Sequence, residues 1–248
     1  MNTQTIPRPV AIVTGSSRGI GAAIAERLAT DGHAVVINYA GRRDDAEALT
    51  SRLTALGGEA IALQADVSDP HAVQRLFDAT EARYGGVDVL VNNAGIMHLA
   101  PIAELDDAVF DRLVAINLKG TFNGMREAAR RLRDGGRIVN LSTSLVGTKL
   151  ETYGVYAATK AAVETMTAIL SKELRGRSIT VNAVAPGPTA TDLFLEGKAP
   201  ELIDRMSRMN PLERLGTPAD IAAVVSFLAS SQGGWINGQV IRANGGMV

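Results

Sequence analysis

The chain has 248 residues, 46% of them hydrophobic and 21% charged, with a formal net charge of -1 at pH 7 and no cysteine. That length and apolar content suit one large α/β domain with a sizeable core and argue against disorder. The near-neutral charge speaks against a general nucleic-acid binder, and the missing cysteines remove disulfides, thiolate metal ligands and thiol nucleophiles. Met1–Pro7 lacks an apolar signal core, and no stretch approaches the roughly 18 apolar residues of a membrane span, so a cytoplasmic protein with no membrane contact is expected. His33, His71 and His98 have no ligand-like spacing, so no metal is expected.

Val10–Thr14 is a short, apolar, partly β-branched run and reads as a buried strand. It leads into Gly15-Ser16-Ser17-Arg18-Gly19-Ile20-Gly21, after which the helix formers Ala22–Ala29 predict a helix over Gly19–Thr30. Three glycines at a strand-turn-helix junction form the context of a phosphate cradle. Gly15 permits a tight turn, Gly19 lets a ligand approach the backbone, and Gly21 lets the helix pack on the sheet. The spacing is Gly-x-x-x-Gly-x-Gly, unlike the Gly-x-Gly-x-x-Gly of most dinucleotide folds. Gly15, Ser17, Arg18, Gly19 and Ile20 are the expected contacts of a pyrophosphate here, supported by the positive end of the helix dipole.

A second strand, Val35–Tyr39, ends in Asn38-Tyr39-Ala40-Gly41-Arg42-Arg43. An NAD-specific site places an acid at this point. None is present before Asp44 and Asp45, while Arg18, Arg42 and Arg43 supply positive charge, which favours a 2′-phosphate and so NADP(H). Asn38, Tyr39, Ala40 and Arg42 are the expected contacts. A helix over Asp44–Leu56 and a strand over Ala60–Gln64 follow, after which Asp66 and Val67 are placed against an adenine. A helix over Pro70–Arg83 and a strand over Val87–Asn92 bring Asn93, Ala94 and Gly95 to a ribose, where small residues permit close approach.

One long helix is predicted over Asp106–Arg133, then a strand over Arg137–Ser142, a helix over Val155–Arg175, a strand over Thr180–Ala185, a helix over Pro218–Ala229 and a strand over Gln239–Ala243. This alternation predicts an α/β fold, a doubly wound parallel sheet of about seven strands in a single domain spanning 1–248. The proline- and glycine-bearing stretch 188–211 breaks the rhythm and reads as a small substrate lid at the carboxyl edge of the sheet. In Gly154–Glu164, Tyr156 and Lys160 are four residues apart and share a helix face. A nearby cation lowers a phenol's pKa from about 10, and such a tyrosine exchanges a proton with a carbonyl or alcohol oxygen.

Thr14-Gly15-x-x-x-Gly19-Ile20-Gly21, Asn92-Asn93-Ala94-Gly95, Asn117, Tyr156-x-x-x-Lys160 and Pro186-Gly187 together resemble the short-chain dehydrogenase/reductase family, in order and spacing across essentially the whole chain. The resemblance is to the branch containing 3-oxoacyl carrier-protein reductases and NADPH-dependent aldehyde reductases. It implies a Rossmann-type sheet, nicotinamide-dependent carbonyl–alcohol interconversion and a homotetramer built partly from the helices carrying Asn117 and Tyr156. It implies further that Tyr156 is the general acid, that Lys160 lowers its pKa and binds the nicotinamide ribose, and that Asn117 holds a relay water. Pro186, Gly187, Thr189 and Thr191 would flank the nicotinamide, with Thr189 on its carboxamide.

The family's active-site serine lies thirteen residues before the tyrosine, where this chain has Thr143, whereas counting back from Gly147 lands on Ser144. Either hydroxyl could donate to a substrate oxygen, and register favours Thr143. A further departure is Asn244, where many relatives have Asp. The expected activity is NADPH-dependent reduction of a ketone, aldehyde or 3-oxoacyl thioester. The alternatives are oxidation of a polyol or hydroxysteroid, or coenzyme binding without turnover. A carrier-protein substrate would dock on the basic clusters Arg126, Arg130, Arg131 and Arg133, and Lys172, Arg175 and Arg177, though cations near helix C-termini also complement the dipole.

Overall fold

The computed structural model describes residues 8–248. Seven strands form one sheet: β1 (Val10–Val13), β2 (Ala34–Tyr39), β3 (Glu59–Gln64), β4 (Val87–Asn92), β5 (Leu132–Leu141), β6 (Thr180–Pro186) and β7 (Val240–Ala243). They are all parallel, in the order β3-β2-β1-β4-β5-β6-β7. The chain winds outward from β1 to β3, then returns to place β4 on the other side of β1. The loops at the carboxyl ends of β1 and β4 therefore diverge and leave a crevice between them.

The helices are α1 (Gly19–Thr30), α2 (Arg43–Ala55), α3 (Pro70–Tyr84), α4 (Asp107–Leu113), α5 (Thr121–Arg131), α6 (Leu145–Thr148), α7 (Gly154–Glu173), α8 (Asp192–Leu195), α9 (Pro200–Ser207) and α10 (Pro218–Ala229). The bounds of α1 and α10 match the sequence expectation. Pro218 opens α10, and the Thr217 and Asp220 side chains cap each other's backbone N–H groups. The single helix expected over Asp106–Arg133 is three pieces, because Val114–Gly120 is wound as a π-helix between α4 and α5. This wider turn carries Asn117, and such turns concentrate at functional positions. Strand β5 begins at Leu132 rather than at Arg137. Its register against β4 shifts between Val87 and Val89, so a bulge holds Arg133–Gly136 and extends the pairing.

Alternate residues of each central strand enter two separate cores, as expected for strands buried on both faces. Val13, Ile37, Val91, Val139 and Val184 pack with α1 and α10 through Ile24, Leu28, Ile221, Val225 and Leu228. Ile12, Val36, Leu90, Ile138 and Val181 pack with α3 and α5 through Val73, Leu76, Phe77 and Ala128. These layers fix the strand ends that build the site. Buried amides at those ends link the strands laterally. Asn92 donates to Asn140 at 2.8 Å and Asn140 donates to Thr167 of α7 at 2.9 Å.

Candidate active site

A cavity of about 500 Å³ runs along the carboxyl ends of the strands, from the glycine turn to Tyr156. The turn is held by β4. Asn93 Nδ2 donates to the Thr14 and Gly15 carbonyls, both at 2.9 Å, and the Asn93 and Ala94 N–H groups donate to Thr14 Oγ1 at 3.0 and 3.1 Å. This close packing dictates the glycines. A Cβ on Gly15, whose φ is +60°, would lie 2.8 Å from Ala94 Cα, and one on Gly21 would lie 2.5 Å from Asn93 Nδ2 and from the Gly15 carbonyl oxygen. Gly21 thus serves contact with the Asn93 loop rather than helix-on-sheet packing alone. No side chain caps the N-terminus of α1, so its first N–H groups face the cavity as donors suited to a pyrophosphate.

The expected coenzyme contacts divide. Gly15, Arg18, Gly19, Ile20, Asn38, Ala40, Asp66, Val67, Asn93, Ala94, Gly95, Pro186, Gly187, Thr189 and Thr191 all line the cavity. Ser17, Tyr39 and Arg42 do not. Tyr39 is turned into the core, because side chains alternate along β2, and Arg42 faces Asp45 at 3.2 Å at the start of α2. Asn38 reaches the wall but its amide serves the framework: Oδ1 accepts from Gly15 N at 3.1 Å and Nδ2 donates to Ala65 O at 3.1 Å. Arg43 pairs with Glu47 at 3.6 Å. Arg18 lies 3.4 Å from Asp192 of α8, an exposed pair that ties the glycine turn to the segment 188–211. Thr189 donates its hydroxyl proton to Gly187 O at 2.9 Å, which leaves the oxygen as an acceptor.

At the other end, Tyr156 in the first turn of α7 and Thr143 line the cavity together. Lys160, one turn further on, is buried, and its Nζ donates to the Leu141 carbonyl at 2.8 Å. Burial pushes the phenol up to about 12, while Thr143 pulls it down and the Tyr153 phenol pushes it further up. Burial also pulls the Lys160 ammonium down to about 8. The resemblance implies that Lys160 acidifies Tyr156; Lys160 is not among the causes that act on the phenol here. Desolvation dominates both groups, and the ammonium points at a carbonyl, not at the phenol. Asn117 is fully buried behind Gly95. Its Oδ1 accepts from Ile96 N at 2.8 Å and its Nδ2 donates to Ile96 O at 2.9 Å. The amide is an anchor for the loop after β4.

Ser142, Thr143 and Ser144, just after β5, all line the cavity, but Ser142 donates to Glu164 at 2.6 Å and Ser144 to Ala185 O at 3.1 Å, whereas Thr143 Oγ1 accepts from Leu145 N at 3.3 Å and keeps its proton. Tyr153, buried and three residues before Tyr156, also lines the cavity. Sequence reading missed it, although the i,i+3 spacing to Tyr156 was a usable signal. Leu193, Phe194, Met206 and Met247 form an apolar wall opposite, and Met97, Arg112 and Ile116 complete the rim. The first basic cluster is largely paired, Arg131 with Asp78, Glu81 and Glu127, Arg130 with Glu127 and Arg133 with Asp88, while in the second, among the described residues, only Arg177 pairs, with Asp134. Among the described residues no group of three or more His, Cys, Asp or Glu could hold a metal ion, and no helix is long and apolar enough to cross a membrane.

Residues 15–248 match the family described as enoyl-(acyl carrier protein) reductase. The chain is 47% identical to a short-chain type dehydrogenase/reductase of Picea abies, over 96% of this chain and 92% of that one. It is also 47% identical to the chloroplastic NADPH-dependent aldehyde reductase 2 of Arabidopsis thaliana, over 96% and 93%. A crystal structure of a short chain dehydrogenase from Burkholderia cenocepacia J2315 in complex with NADP superposes with a TM-score of 0.91 at 39% identity, covering 96% of this chain and 97% of that one. Fold, strand order, site geometry and sequence identity agree: the chain belongs to the short-chain dehydrogenase/reductase family.

Proposed function

We propose that the protein reduces a carbonyl compound to an alcohol with NADPH, with Tyr156 as proton donor and Thr143 as the hydroxyl that holds the substrate oxygen. The observation that carries this reading is that Thr143, Tyr156 and Lys160 line one cavity that runs on to the glycine turn. The groove fits the coenzyme. Uncapped N–H groups of α1 would take the pyrophosphate, Asp66 and Val67 the adenine, and Asn93–Gly95 with Lys160 the ribose near Tyr156. Pro186, Gly187, Thr189 and Thr191 would take the nicotinamide. Arg18, with no acid at the end of β2, favours a 2′-phosphate. The names of the Arabidopsis relative and of the Burkholderia complex support NADP(H).

NADPH supplies the hydride that adds to the carbonyl carbon. The chain supplies the rest. Tyr156, held protonated by burial, gives its proton to the carbonyl oxygen as charge develops there. Thr143 donates a hydrogen bond to the same oxygen, and both donors are fixed before reaction, so little reorganisation opposes the step. Lys160, whose Nζ donates to the Leu141 carbonyl, would hold the nicotinamide ribose. Segment 188–211, tethered through Arg18–Asp192, closes the apolar wall over the substrate. The pairing of Arg131 and Arg133 with acids weakens the first basic cluster as a dock for an acidic carrier, which favours a free small-molecule ketone or aldehyde over an acyl-carrier substrate. The exposed Phe110, Phe122 and Ile169 on α4, α5 and α7 suit the helix pairing of a homotetramer.

The test is NADPH oxidation with a panel of ketones, aldehydes and 3-oxoacyl thioesters. Turnover of free ketones or aldehydes that Tyr156→Phe abolishes is expected. Coenzyme binding with no turnover anywhere on the panel would overturn the reading in favour of a binding protein.

A further inference from the structure

Beyond β7 the chain folds back over the loop that carries the reacting hydroxyl. Asn244 Oδ1 accepts from Gly246 N at 3.0 Å and from Met247 N at 3.2 Å. Two backbone donors fix the orientation of the amide, since only its oxygen can face them. Its nitrogen therefore faces Ser144 and donates to Ser144 Oγ at 2.9 Å and to Val248 O at 3.2 Å. A serine hydroxyl has one proton. With Oγ accepting from Asn244, that proton goes to the Ala185 carbonyl at 3.1 Å, and nothing remains to donate to a substrate. The Ser144 N–H is tied as well, to Pro186 O at 2.9 Å. Residue 144 is thus pinned to the end of β6 and to the turn after β7. Thr143, one position earlier, lines the cavity with Tyr156, and its Oγ1 accepts a backbone N–H, from Leu145 at 3.3 Å, which leaves its own proton to donate. The same turn seats Met247 in the wall of the cavity.

We propose that Asn244 is a positioning residue that locks Ser144 out of the chemistry and so holds Thr143 on Tyr156. The proposal rests on Thr143 being the donor, as argued above. It also gives a consequence to the departure from aspartate at this position. A carboxylate would keep both contacts to Gly246 and Met247, but it has no proton to donate. Ser144 would then have one proton for two acceptors, the carboxylate and Ala185 O, and the Val248 main-chain oxygen would meet a negative charge. The hydroxyl would swing towards the carboxylate, and its link to β6 would be lost.

Asn244→Asp isolates this contact because it preserves shape and the two accepted bonds, and Asn244→Ala removes all four. Steady-state kinetics of Asn244→Asp, Asn244→Ala, Ser144→Ala and their combinations, with melting temperature and KM for NADPH as controls, measure the coupling. Each single change is expected to lower kcat about tenfold, the order of one misdirected hydrogen bond, with KM for NADPH unchanged. Asn244→Asp added to Ser144→Ala should cost nothing more. Multiplicative losses, a wild-type kcat in Asn244→Asp, or a loss confined to KM would overturn the proposal. Thr143→Val, run in parallel, separates the two readings. If it keeps turnover, the assignment of the donor fails. If it loses turnover while Asn244→Asp does not, only the positioning role fails. A loss in Ser144→Ala as large as in Thr143→Val would make Ser144 the donor and overturn both.

Discussion

Replacing Lys160 by methionine should remove activity and yet stabilise the fold at neutral pH. Lys160 is 4% exposed, and burial lowers its pKa from 10.5 to about 8. At about 1.36 kcal/mol per pH unit, that fall corresponds to roughly 3 kcal/mol of disfavoured charge in the native state. Below pH 8 the lysine is protonated in both the native and the unfolded state, and the native state carries the whole cost. Between pH 8 and 10.5 the unfolded chain still binds a proton that the native state has released, so wild-type stability rises with pH through this window. Above 10.5 the cost is gone. Lys160→Met has no charge to bury, fills a similar volume, and loses the hydrogen bond to Leu141 O, about 1 kcal/mol. It should therefore be more stable than wild type by about 2 kcal/mol at pH 7 and less stable by about 1 kcal/mol above pH 10.5. Urea unfolding of both proteins across this range, at one fixed protein concentration, gives the difference, in which all other titrating groups cancel. A difference that stays flat with pH would refute the claim that Lys160 is held desolvated, as would a variant less stable at pH 7. Stability gained where activity is lost is the pattern expected of a residue kept for chemistry.

Further measurements bear on other parts of the site. In the coenzyme-free protein Tyr156 should stay largely protonated at pH 10, where a free phenol is about half ionised, because burial holds it near 12. The difference in 295 nm absorbance between wild type and Tyr156→Phe should be small at pH 10 and grow above it, and a full phenolate signal below pH 10 would contradict the burial argument. Tyr156→Phe should also lower kcat by about a hundredfold or more for every carbonyl accepted. Gly21→Ala brings a methyl to 2.5 Å from Asn93 Nδ2 and Gly15 O. It should weaken NADPH binding by at least about tenfold and lower the melting temperature, since both neighbours hold the glycine turn; unaltered titration calorimetry would show that the turn yields freely. Ala40→Asp places a carboxylate on the cavity wall at the end of β2. The ratio of kcat/KM for NADPH to that for NADH should fall by about tenfold or more, and an unchanged ratio would place the 2′-phosphate elsewhere.

The local sequence determined the elements and the reaction centre. Bounds for α1 and α10 could be read because their start signals are local: glycines at a strand-turn junction, and Thr217-Pro218 with Asp220 three residues on. The pairing of Tyr156 with Lys160 needed only the helical repeat. The absence of an acid at the end of β2 needed only the strand end. What the sequence left open depended on partners far along the chain. Thr143 and Ser144 are chemically equivalent candidates in a string, and the choice rests on Asn244, one hundred residues later, and on Ala185. Asn117 was legible as a site residue, but its amide is committed to Ile96 on another loop. Arg130, Arg131, Arg133 and Arg177 read as a basic face in the string, but acids of α3, β4, α5 and β5 pair with them. The four-residue spacing of Tyr156 and Lys160 fixes proximity along the helix but not burial, nor which acceptor the lysine meets. Periodicity specifies what a segment becomes; only packing decides which of its polar atoms remain free to react.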